Sequence, residues 1–584
     1  MPKITSFCKK IFNSDNALTS LDFRIILILT GIFSVLVFFR LGNIKAPQSY
    51  YTATSENRDV VIDFGDYVEV ESAHFYLGNI DNRKVSVSFF NEQDGKWQVI
   101  SPEDNITSVF QWNTIDIKYK NIRYVGFVFL DDKAVINELV FTTPDGQVIT
   151  PVNTDKYPEL FDEQEMFYST LDKTYMDGTM FDEIYHGRTG YEFVHHLPTY
   201  ETTHPQLGKC IIALGIKMFG MTPFGWRFFV AVFGILFVPL MYIFAKRMFE
   251  NTFVATCVGM FITFDCMHFT LSRIATIDIF VAFFIILSYY YMYRYITTNS
   301  KLLLALCGIA MGLAIATKLT GVYAGCGLAV ILLVYTIKNW PKGHVFKFIC
   351  FCFLFFIIIP LTLYTLAYIP TVERYAQMGF TDKTIAWDDN GLYVGYGYTG
   401  LLARTARNTS YMINYHRTLV ADHPFASDFY TWPIMAKPLM AANDYAALVD
   451  GRYYNSSVSY IGNAVIWWTG IPCVLFVLYK AIFKKDTKAL FLSVSYLAQY
   501  IPWMSVGRIT FIYHYLPCIL FTMLMMGYTI FCIISKNPEM KRLIKVYLIL
   551  VVLCFILFYP VISGLPFPRD LSLKLQWMKD WYLA

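Results

Sequence analysis

Long apolar runs dominate the chain from residue 224 onward, and a further run lies close to the N-terminus. A helix needs about 20 apolar residues to cross the hydrocarbon core of a bilayer, with a tolerance of a few residues either way. Prolines inside some runs agree with this interpretation, because membrane helices tolerate them. We therefore predict about eleven transmembrane helices, near 24–41, 224–245, 252–270, 274–293, 302–317, 320–337, 346–368, 460–480, 488–505, 509–534 and 545–563.

The segment between the first and second apolar runs follows a different period. Seven short stretches alternate apolar with polar residues, and Asn, Asp, Gly and Pro separate them. In one stretch Val85, Val87 and Phe89 share a face, which is the pattern of a half-buried strand. The number of such stretches predicts an all-β sandwich. The stretches are VVIDFG, HFYLG, RKVSVSFF, KWQVI, WNTIDIKY, IRYVGFVFL and INELVFTT.

The positions of Lys and Arg predict how the helices are oriented. Basic residues gather at the N-terminus (Lys3, Lys9 and Lys10) and in alternate connections after it, whereas the other connections hold few. Cytoplasmic loops of membrane proteins carry the excess of Lys and Arg, so the N-terminus is predicted to be cytoplasmic. The two long connections, about 42–223 and 369–459, are then extracytoplasmic, and an odd number of spans places the C-terminus outside.

These patterns divide the chain into seven parts. The predicted fold class is a polytopic α-helical membrane protein with an extracytoplasmic all-β domain. The parts are a cytoplasmic N-terminus with the first transmembrane helix (1–45), a β-sandwich (50–155), a first outer loop (156–223), transmembrane helices (224–368), a large outer loop (369–459), further transmembrane helices (460–565) and an outer tail (566–584).

Composition supports a membrane protein and indicates the kind of membrane in which it lies. Hydrophobic residues make up 55% of the 584 residues and charged residues 16%, whereas a soluble domain carries about a quarter charged residues. Twelve cysteines are present, but none lies between Leu41 and Lys209. A large exported segment without disulfides fits a bacterial surface better than a eukaryotic lumen, so we predict a bacterial plasma membrane. No glycine-rich phosphate loop is present, and no nucleic-acid partner is predicted.

Two adjacent carboxylates, Asp182 and Glu183, stand in the first outer loop just before the apolar helices. A carboxylate placed at an acceptor hydroxyl acts as a general base, which contributes about 10²- to 10⁴-fold to a rate. A solvated loop pair or a helix cap is the competing interpretation. Nearby histidines at 186, 195, 196 and 204 fit no compact zinc motif, so no metal is predicted there. A similar pair, Asp162 and Glu163, lacks the context that follows Glu183 and is set aside.

Four isolated cations fall at the predicted outer boundary of the membrane: Arg227, Arg273, Lys318 and Arg508. A cation near a membrane needs a partner or a function, and phosphate attracts such groups through charge-assisted hydrogen bonds. As a set they predict an anion site for a lipid phosphate, although each one alone could snorkel to the interface or pair with a carboxylate. Asp278 could pair with Arg273 or orient a loop.

Further polar and aromatic residues are candidates for contacts with a substrate. Histidines could contact an acceptor hydroxyl or a phosphate, and aromatic side chains could stack on a ring such as that of a sugar. Turn capping and interfacial aromatic belts are the competing roles. The candidates are Tyr185, His186, His416, His423, Trp432 and Asp278.

The stretch MFDEIYHGRTGYEFVHHLPTYETTHPQLGKCIIALGIKMFGMTPFGWRF resembles the start of the protein O-mannosyltransferases, glycosyltransferase family 39. Later stretches resemble the same family in the same order: SRIATIDIF, NYHRTLVADHPFASDFYTWPIMAKPLM, IGNAVIWW and PWMSVGRITFIYHYLP. This resemblance covers roughly 160–565. The strand region, over about 55–150, resembles a discoidin or galactose-binding-like jelly roll.

The resemblance implies a GT-C fold with the active site at the outer face of the membrane. Members of the family take a sugar, typically mannose, from a polyprenyl phosphate in the lipid and attach it to Ser or Thr of proteins, usually with inversion at the anomeric carbon. No cofactor is implied. The family's Asp-Glu signature maps onto Asp182 as general base and Glu183 as the residue that orients the acceptor or the loop. Its donor-phosphate arginine maps onto Arg227, and Arg508 is implied as a second phosphate contact.

Two departures from the family leave the acceptor open. The large outer loop is too short for the β-trefoil of eukaryotic members, and a β-domain follows the first helix instead. Transfer of mannose to exported protein is therefore the leading interpretation, and transfer of another sugar, or transfer to a cell-wall polymer or a lipid, is the alternative. A transporter is a further alternative, although transporters tend to show internal repeats and charges near the midplane. The sequence leaves the oligomeric state undetermined.

Overall fold

The computed structural model describes residues 18–78, 83–106, 109–131, 134–167, 174–197, 199–339, 344–371, 400–449 and 451–583. Part of the predicted large outer loop, 372–399, lies outside the described residues.

The helices are α1 (Ser20–Phe38), α2 (Glu183–Val194), α3 (Leu207–Phe219), α4 (Pro223–Phe249), α5 (Thr252–Thr263), α6 (Cys266–Leu271), α7 (Asp278–Thr298), α8 (Lys301–Thr317), α9 (Gly321–Lys338), α10 (Val345–Phe353), α11 (Ile359–Leu366), α12 (Leu401–Thr418), α13 (Ala464–Lys484), α14 (Thr487–Tyr500), α15 (Leu516–Lys536), α16 (Lys541–Ser563) and α17 (Arg569–Leu573).

Every predicted apolar segment contains helix, but the lengths differ. Within the described residues, eight helical segments are long and apolar enough to cross a membrane, and they confirm a multi-pass membrane protein. In three predicted segments the helix is shorter: α5 has 12 residues, α8 has 17 and α14 has 14. The eight are 20–38, 223–249, 278–298, 321–338, 345–371, 464–484, 512–536 and 538–563.

The predicted helix 252–270 is interrupted at Asp265. Its carboxylate accepts hydrogen bonds from the backbone N–H of His268 (2.9 Å) and from Nε1 of Trp467 (2.8 Å). A carboxylate that satisfies the free N–H groups of a first turn starts a new helix at that point. Helix α6 therefore begins after Asp265, and the chain then leaves the helix to reach Arg273.

The region 51–149 consists of strands, as predicted. Its strands are β1 (Tyr51–Ala53), β2 (Asp59–Leu77), β3 (Arg83–Asn91), β4 (Lys96–Ile106), β5 (Gln111–Phe129), β6 (Ala134–Ile136), β7 (Glu138–Thr142) and β8 (Val148–Ile149). Six of them form one antiparallel sheet in the order β4-β3-β5-β2-β7-β8, and β1 pairs with β6. The finer resemblance to a discoidin jelly roll stays a prediction.

Four of the seven predicted strands merge into two long ones. VVIDFG and HFYLG both belong to β2, and WNTIDIKY and IRYVGFVFL both belong to β5. The register between β2 and β5 shifts between Asp63 and Ser72, and Lys118 and Asn121 on the opposite strand have positive φ. Bulges bend a strand and increase its twist. The alternation of apolar and polar residues restarts after the bend, which is why one strand resembles two in the sequence.

The β-region packs directly on the elements that carry the acidic pair of the first outer loop. The ring of Phe110 lies 5.8 Å from that of Tyr191 in α2 and 6.3 Å from that of Trp226 in α4. The Gln48 side chain, which follows α1, accepts a 2.9 Å hydrogen bond from the backbone N–H of Met221. The β-region therefore shares an interface with the C-terminal part of α2 and with the start of α4.

A third sheet involves the predicted large outer loop and was not expected from the sequence. Strands β9 (Leu439–Val449) and β10 (Arg452–Tyr460) form an antiparallel hairpin, and β11 (Phe567–Pro568) pairs with its edge. The last residue of β10, Tyr460, has its ring 6.0 Å from that of Phe181. The hairpin thereby reaches the residue that precedes Asp182.

Candidate active site

Asp182 stands immediately before α2, at the position whose side chain commonly caps a helix. Its side chain makes no capping hydrogen bond, so the carboxyl remains available for another role. The preceding residue, Phe181, has a positive φ of 47°, a conformation that is rare for bulky side chains. Its ring lies 6.0 Å from the rings of Tyr460, Phe511 and Tyr513. This packing holds the turn and thereby the direction of Asp182.

The surroundings of the Asp182 carboxyl suit proton transfer near neutral pH. Burial raises its pKa to about 7; the positive charges of Lys318 and Arg508 oppose this shift, and the negative charges of Asp278 and Glu201 support it. The ordinary pKa of an aspartate is about 3.9. A general base is most effective when its pKa lies near the operating pH, so Asp182 has the electrostatic properties of such a base.

Glu183 has a different environment, although it is the next residue. Its buried carboxylate accepts two hydrogen bonds from Arg227, each 2.7 Å long. It also accepts hydrogen bonds of 2.7 Å from the backbone N–H groups of Met180 and Ala275. A carboxylate has about four acceptor sites, and here four donors occupy them. Glu183 is therefore fixed within the protein and anchors the first turn of α2.

Arg227 directs all of its N–H groups into the protein. Besides Glu183, its guanidinium donates to the backbone carbonyls of Leu41 (3.0 Å), Tyr175 (2.9 Å) and Gly178 (2.8 Å). An arginine has five N–H donors. The three hydrogen bonds to carbonyls and the two to Glu183 use all five. The side chain is also 0% exposed. This geometry argues against the predicted contact of Arg227 with the donor phosphate, because no donor and no surface are left for it.

Arg273 is the second predicted phosphate ligand that lies in the interior. It donates to the backbone carbonyl of Arg40 (2.6 Å) and to the hydroxyl of Tyr175 (3.1 Å). Its guanidinium carbon lies 5.1 Å from the centroid of the Phe269 ring. The predicted pair of Arg273 with Asp278 is wrong, because the described partner of Asp278 is Lys318. Arg273 holds the chain after α1 in place.

Lys318 and Arg508, the other two predicted cations, line a common cavity of about 450 Å³. The Lys318 ammonium donates a 2.8 Å hydrogen bond to Asp278, which compensates part of its charge. For Arg508, no ion pair or hydrogen bond is found within the described ranges. Arg417, His204 and His416 line the same cavity. A wall that carries three cations favours an anionic ligand.

Two of the predicted acceptor and sugar contacts, His416 and His186, lie at or near this cavity, and a third, Tyr185, is partly exposed. His416 lines it, with Nε2 2.8 Å from the carbonyl of Thr203. His186 is buried, and its ring lies 5.8 Å from that of His204, which also lines the cavity. Tyr185 is 44% exposed and stacks on Tyr200. Their predicted contacts with substrate stay predictions.

Two other predicted contacts have structural roles in the described chain. Trp432 is 0% exposed, and its Nε1 donates to the hydroxyl of Ser427 (3.1 Å). The prediction that Trp432 stacks on a sugar is wrong for this structure, because neither face of the indole is accessible. Nδ1 of His423 accepts a hydrogen bond from the backbone N–H of Phe425 (3.2 Å), which is the turn-capping role considered as the alternative.

A buried network lies behind His204 and was not predicted from the sequence. Lys209 of α3 forms a buried ion pair with Glu201 and donates to the backbone carbonyls of Glu201 (2.7 Å) and His204 (3.2 Å). Glu201 also accepts a hydrogen bond from the backbone N–H of Thr203 (2.7 Å). This network fixes the loop that contributes His204 to the cavity wall. The basic residue that ends HPQLGK is the only signal for it in the sequence.

One group of three side chains in the described residues is close enough to share a metal ion. It consists of Glu138, Asp162 and Glu163 and includes neither Asp182 nor the predicted histidines.

Two family models match the chain in succession. The model described as dolichyl-phosphate-mannose-protein mannosyltransferase matches residues 170–376. The model described as the C-terminal four-transmembrane region of protein O-mannosyltransferase matches residues 405–581. Together they cover about two thirds of the chain and include Asp182, Lys318 and Arg508. The β-region lies outside both matches.

Named relatives agree with these matches. The chain is 25% identical over 456 residues to a polyprenol-phosphate-mannose–protein mannosyltransferase of Mycolicibacterium smegmatis, covering 69% of this chain and 87% of that protein. It is 24% identical over 429 residues to the protein of the same name from Corynebacterium glutamicum, covering 65% and 81%.

Among solved structures, the chain is similar to the Saccharomyces cerevisiae protein O-mannosyltransferase Pmt1–Pmt2 complex bound to the sugar donor. The TM-score is 0.58 at 15% sequence identity, covering 69% of this chain and 89% of the solved one. At this identity the likeness concerns the fold, and it confirms the predicted GT-C type. With both family models matched in order on this fold, the chain belongs to the protein O-mannosyltransferase family.

Proposed function

We propose that this protein transfers mannose from a polyprenyl-phosphate donor to hydroxyl groups, those of Ser and Thr in exported proteins. The observation that carries the proposal is the position of Asp182. Its carboxyl has no capping hydrogen bond, and the two cations that act on it, Lys318 and Arg508, line the cavity. The names of the mycobacterial and corynebacterial relatives support mannose, a polyprenyl phosphate and a protein acceptor.

In the proposed reaction the cavity binds the phosphate of the donor. Lys318 and Arg508 hold the phosphate oxygens and stabilise the charge that develops as the bond to the sugar breaks. Asp182 takes the proton of the acceptor hydroxyl, and the acceptor oxygen forms a bond to the anomeric carbon. The bond between this carbon and the phosphate oxygen breaks, and its electron pair stays with the lipid phosphate. Attack from the face opposite the phosphate gives inversion.

Glu183 and Arg227 act in this proposal as positioning residues. Glu183 joins α2 to Ala275 and to Arg227, and Arg227 joins α4 to the chain after α1 and to the turn before Asp182. The segments that these two side chains connect determine where Asp182 stands relative to Lys318. Substitution of either residue is thus expected to misplace the base and also to destabilise the protein.

We also propose the orientation given by the basic loops. The N-terminus lies in the cytoplasm, and both Asp182 and the cavity that Lys318 and Arg508 line lie on the outer side of a bacterial plasma membrane. The donor lipid then enters from the bilayer, and the polypeptide acceptor reaches the cavity from outside. Cysteine labelling of the full chain at exposed loop positions, with reagents that do not cross membranes, tests this arrangement.

A transfer assay with the purified protein tests the function. The full chain in nanodiscs is supplied with polyprenyl-phosphate-linked radioactive mannose and a peptide rich in Ser and Thr. We expect labelled peptide from the wild type and from Glu159→Gln, which changes an exposed acidic residue, and a loss of at least about 10²-fold for Asp182→Asn. Transfer at wild-type rate by Asp182→Asn would exclude the base, and transfer only to a wall polymer or lipid would exclude the protein acceptor.

A further inference from the structure

The acidic pair that the sequence analysis set aside lies beside a third carboxylate in the folded protein. One oxygen atom from each of Glu138, Asp162 and Glu163 lies within 4.8 Å of the other two. Glu138 is on β7 and is fully buried, Glu163 is partly buried, and Asp162 is exposed to solvent. Carboxylates this close disfavour one another's charged forms unless a proton or a cation compensates them.

The donors around this acidic cluster do not compensate it. The backbone N–H groups of Gln48 (2.6 Å) and Ser49 (2.9 Å) donate to Oε2 of Glu163. The Ser49 hydroxyl lies 2.7 Å from Asp162 and 2.9 Å from Glu163, yet its single proton serves only one of them. Among the ion pairs of the described chain, none involves Glu138, Asp162 or Glu163.

One oxygen of Glu138 lacks a donor altogether. Oε2 accepts a 3.0 Å hydrogen bond from the backbone N–H of Glu163, whereas Oε1 is buried and has no hydrogen-bond donor in the described residues. A buried acceptor without a partner is costly, and more so when it is charged. Burial also raises the pKa of Glu138 to about 9, and the charges of Asp162 and Glu163 add to this rise. A bound cation would relieve both effects.

We propose that Glu138, Asp162 and Glu163 form a binding site for one divalent cation of the calcium class. Oxygen ligands alone select Ca²⁺, Mg²⁺ or Mn²⁺ over softer metals. Two ligands of one Ca²⁺ ion lie at most about 5 Å apart. The three carboxylate oxygens lie within 4.8 Å of one another and can therefore all reach one Ca²⁺ ion. Asp162 leaves one side of the site open to solvent, from which the ion and its remaining water ligands arrive.

The site lies where the β-region meets the membrane helices. Glu138 belongs to the six-stranded sheet, and Gln48 and Ser49 belong to the chain that leaves α1. Gln48 in turn accepts a hydrogen bond from Met221 at the start of α4. A cation bound to the three carboxylates thus holds the sheet against the segment that enters from the membrane.

Calcium binding by the full chain in detergent tests the proposal. We expect the chelator-treated wild type to bind about one Ca²⁺ per chain, with a Kd of about 10⁻⁴ to 10⁻³ M as in extracellular modules, and to melt at a higher temperature with Ca²⁺ than with EDTA. Glu138→Gln and Asp162→Asn should each weaken binding at least about tenfold and remove this shift. Asp145→Asn, which changes an exposed acidic residue of the β7–β8 turn, should bind as the wild type does.

Either of two results overturns the proposal. The first is that wild-type protein shows no saturable binding and no melting shift up to 10 mM Ca²⁺, on the order of ten times the weakest Kd expected. The second is that Ca²⁺ binds, but Glu138→Gln and Asp162→Asn both bind it as the wild type does. Asp162 is exposed, so its variant keeps the test valid if Glu138→Gln does not fold. Both readouts are independent of sugar transfer.

Discussion

The tripeptide Phe-Asp-Glu occurs twice in this chain, at 161–163 and at 181–183, and the two copies have opposite environments. In both, the glutamate is held by backbone N–H groups from a distant segment: those of Gln48 and Ser49 for Glu163, and that of Ala275 for Glu183. In the second copy the buried arginine Arg227 also pairs with the glutamate, whereas in the first copy the buried Glu138 lies beside the glutamate. The same three residues thus produce a compensated anchor in one place and an excess of negative charge in the other.

The comparison shows what separates the candidate base from an ordinary acidic residue. Arg227 compensates the charge of Glu183, whereas Asp182 feels the charges of the cavity cations Lys318 and Arg508. At the first copy the aspartate is exposed, and its hydrogen bond comes from Ser49. A carboxyl becomes suited to catalysis here because its neighbour is neutralised and because it is buried next to separate cations.

The largest expected effect concerns Asp182. Asp182→Asn removes the proton acceptor but keeps the size of the side chain, so we expect transfer to fall by about 10²- to 10⁴-fold. Donor binding should change little, because Lys318 and Arg508 remain. Initial rates and equilibrium donor binding measured on the same preparations check this. A variant that loses donor binding in proportion to its rate would place Asp182 in the phosphate site.

Arg227→Met should produce the next largest effect, and it should be an effect on stability. The substitution leaves the Glu183 carboxylate buried without its partner, which typically costs about 3–5 kcal/mol. The melting temperature of the variant in detergent should therefore drop strongly, and the double variant Glu183→Gln/Arg227→Met should recover part of the loss. An unchanged melting temperature together with weaker donor binding would restore the original prediction that Arg227 contacts phosphate.

Arg508→Ala should weaken binding of the donor and leave the stability of the protein nearly unchanged. Arg508 has no hydrogen bond or ion pair in the described chain, and hydrogen bonds to charged groups contribute about 1.5–3 kcal/mol. The loss corresponds to about a 10- to 100-fold weaker affinity for the polyprenyl-phosphate donor. Arg452→Ala, which removes an exposed arginine paired with Asp570, serves as the control. Equal donor affinity in the two variants would remove Arg508 from the phosphate site.

The pH dependence of transfer should report the raised pKa of Asp182. The base is active when deprotonated, and burial keeps it protonated to a higher pH than an exposed aspartate. Below a pH of about 7 the rate should therefore fall about tenfold for each pH unit, and above it the rate should level off. Single-turnover rates between pH 5 and pH 9 check this. A profile that is flat down to pH 5 would assign Asp182 an ordinary pKa.

The sequence allowed the prediction of the helical segments, the strand region and Asp182, because each depends on a local pattern or on a contiguous motif. It did not show that Arg227 pairs with Glu183, because a position along the chain shows where a charge enters the membrane boundary and not which group it contacts. Glu183 and Arg227 are 44 residues apart in sequence. Arg417 and the Glu201–Lys209 pair were missed for the same reason, since the cavity wall is assembled from separate loops and helices.

The smallest expected effect comes from Asp162→Asn, and it tests whether the two Phe-Asp-Glu copies differ as described. In EDTA the substitution removes the negative charge of Asp162 from the acidic cluster, while the Asn oxygen can still accept a hydrogen bond from Ser49. Because Asp162 is exposed, the melting temperature should stay constant or rise slightly, by an amount equivalent to about 0.5 kcal/mol or less. Glu159→Gln, which changes an exposed residue outside the cluster, sets the baseline in the same EDTA buffer. A marked destabilisation by Asp162→Asn would mean that the charge of Asp162 stabilises the fold, as the charge of Glu183 does in the other copy.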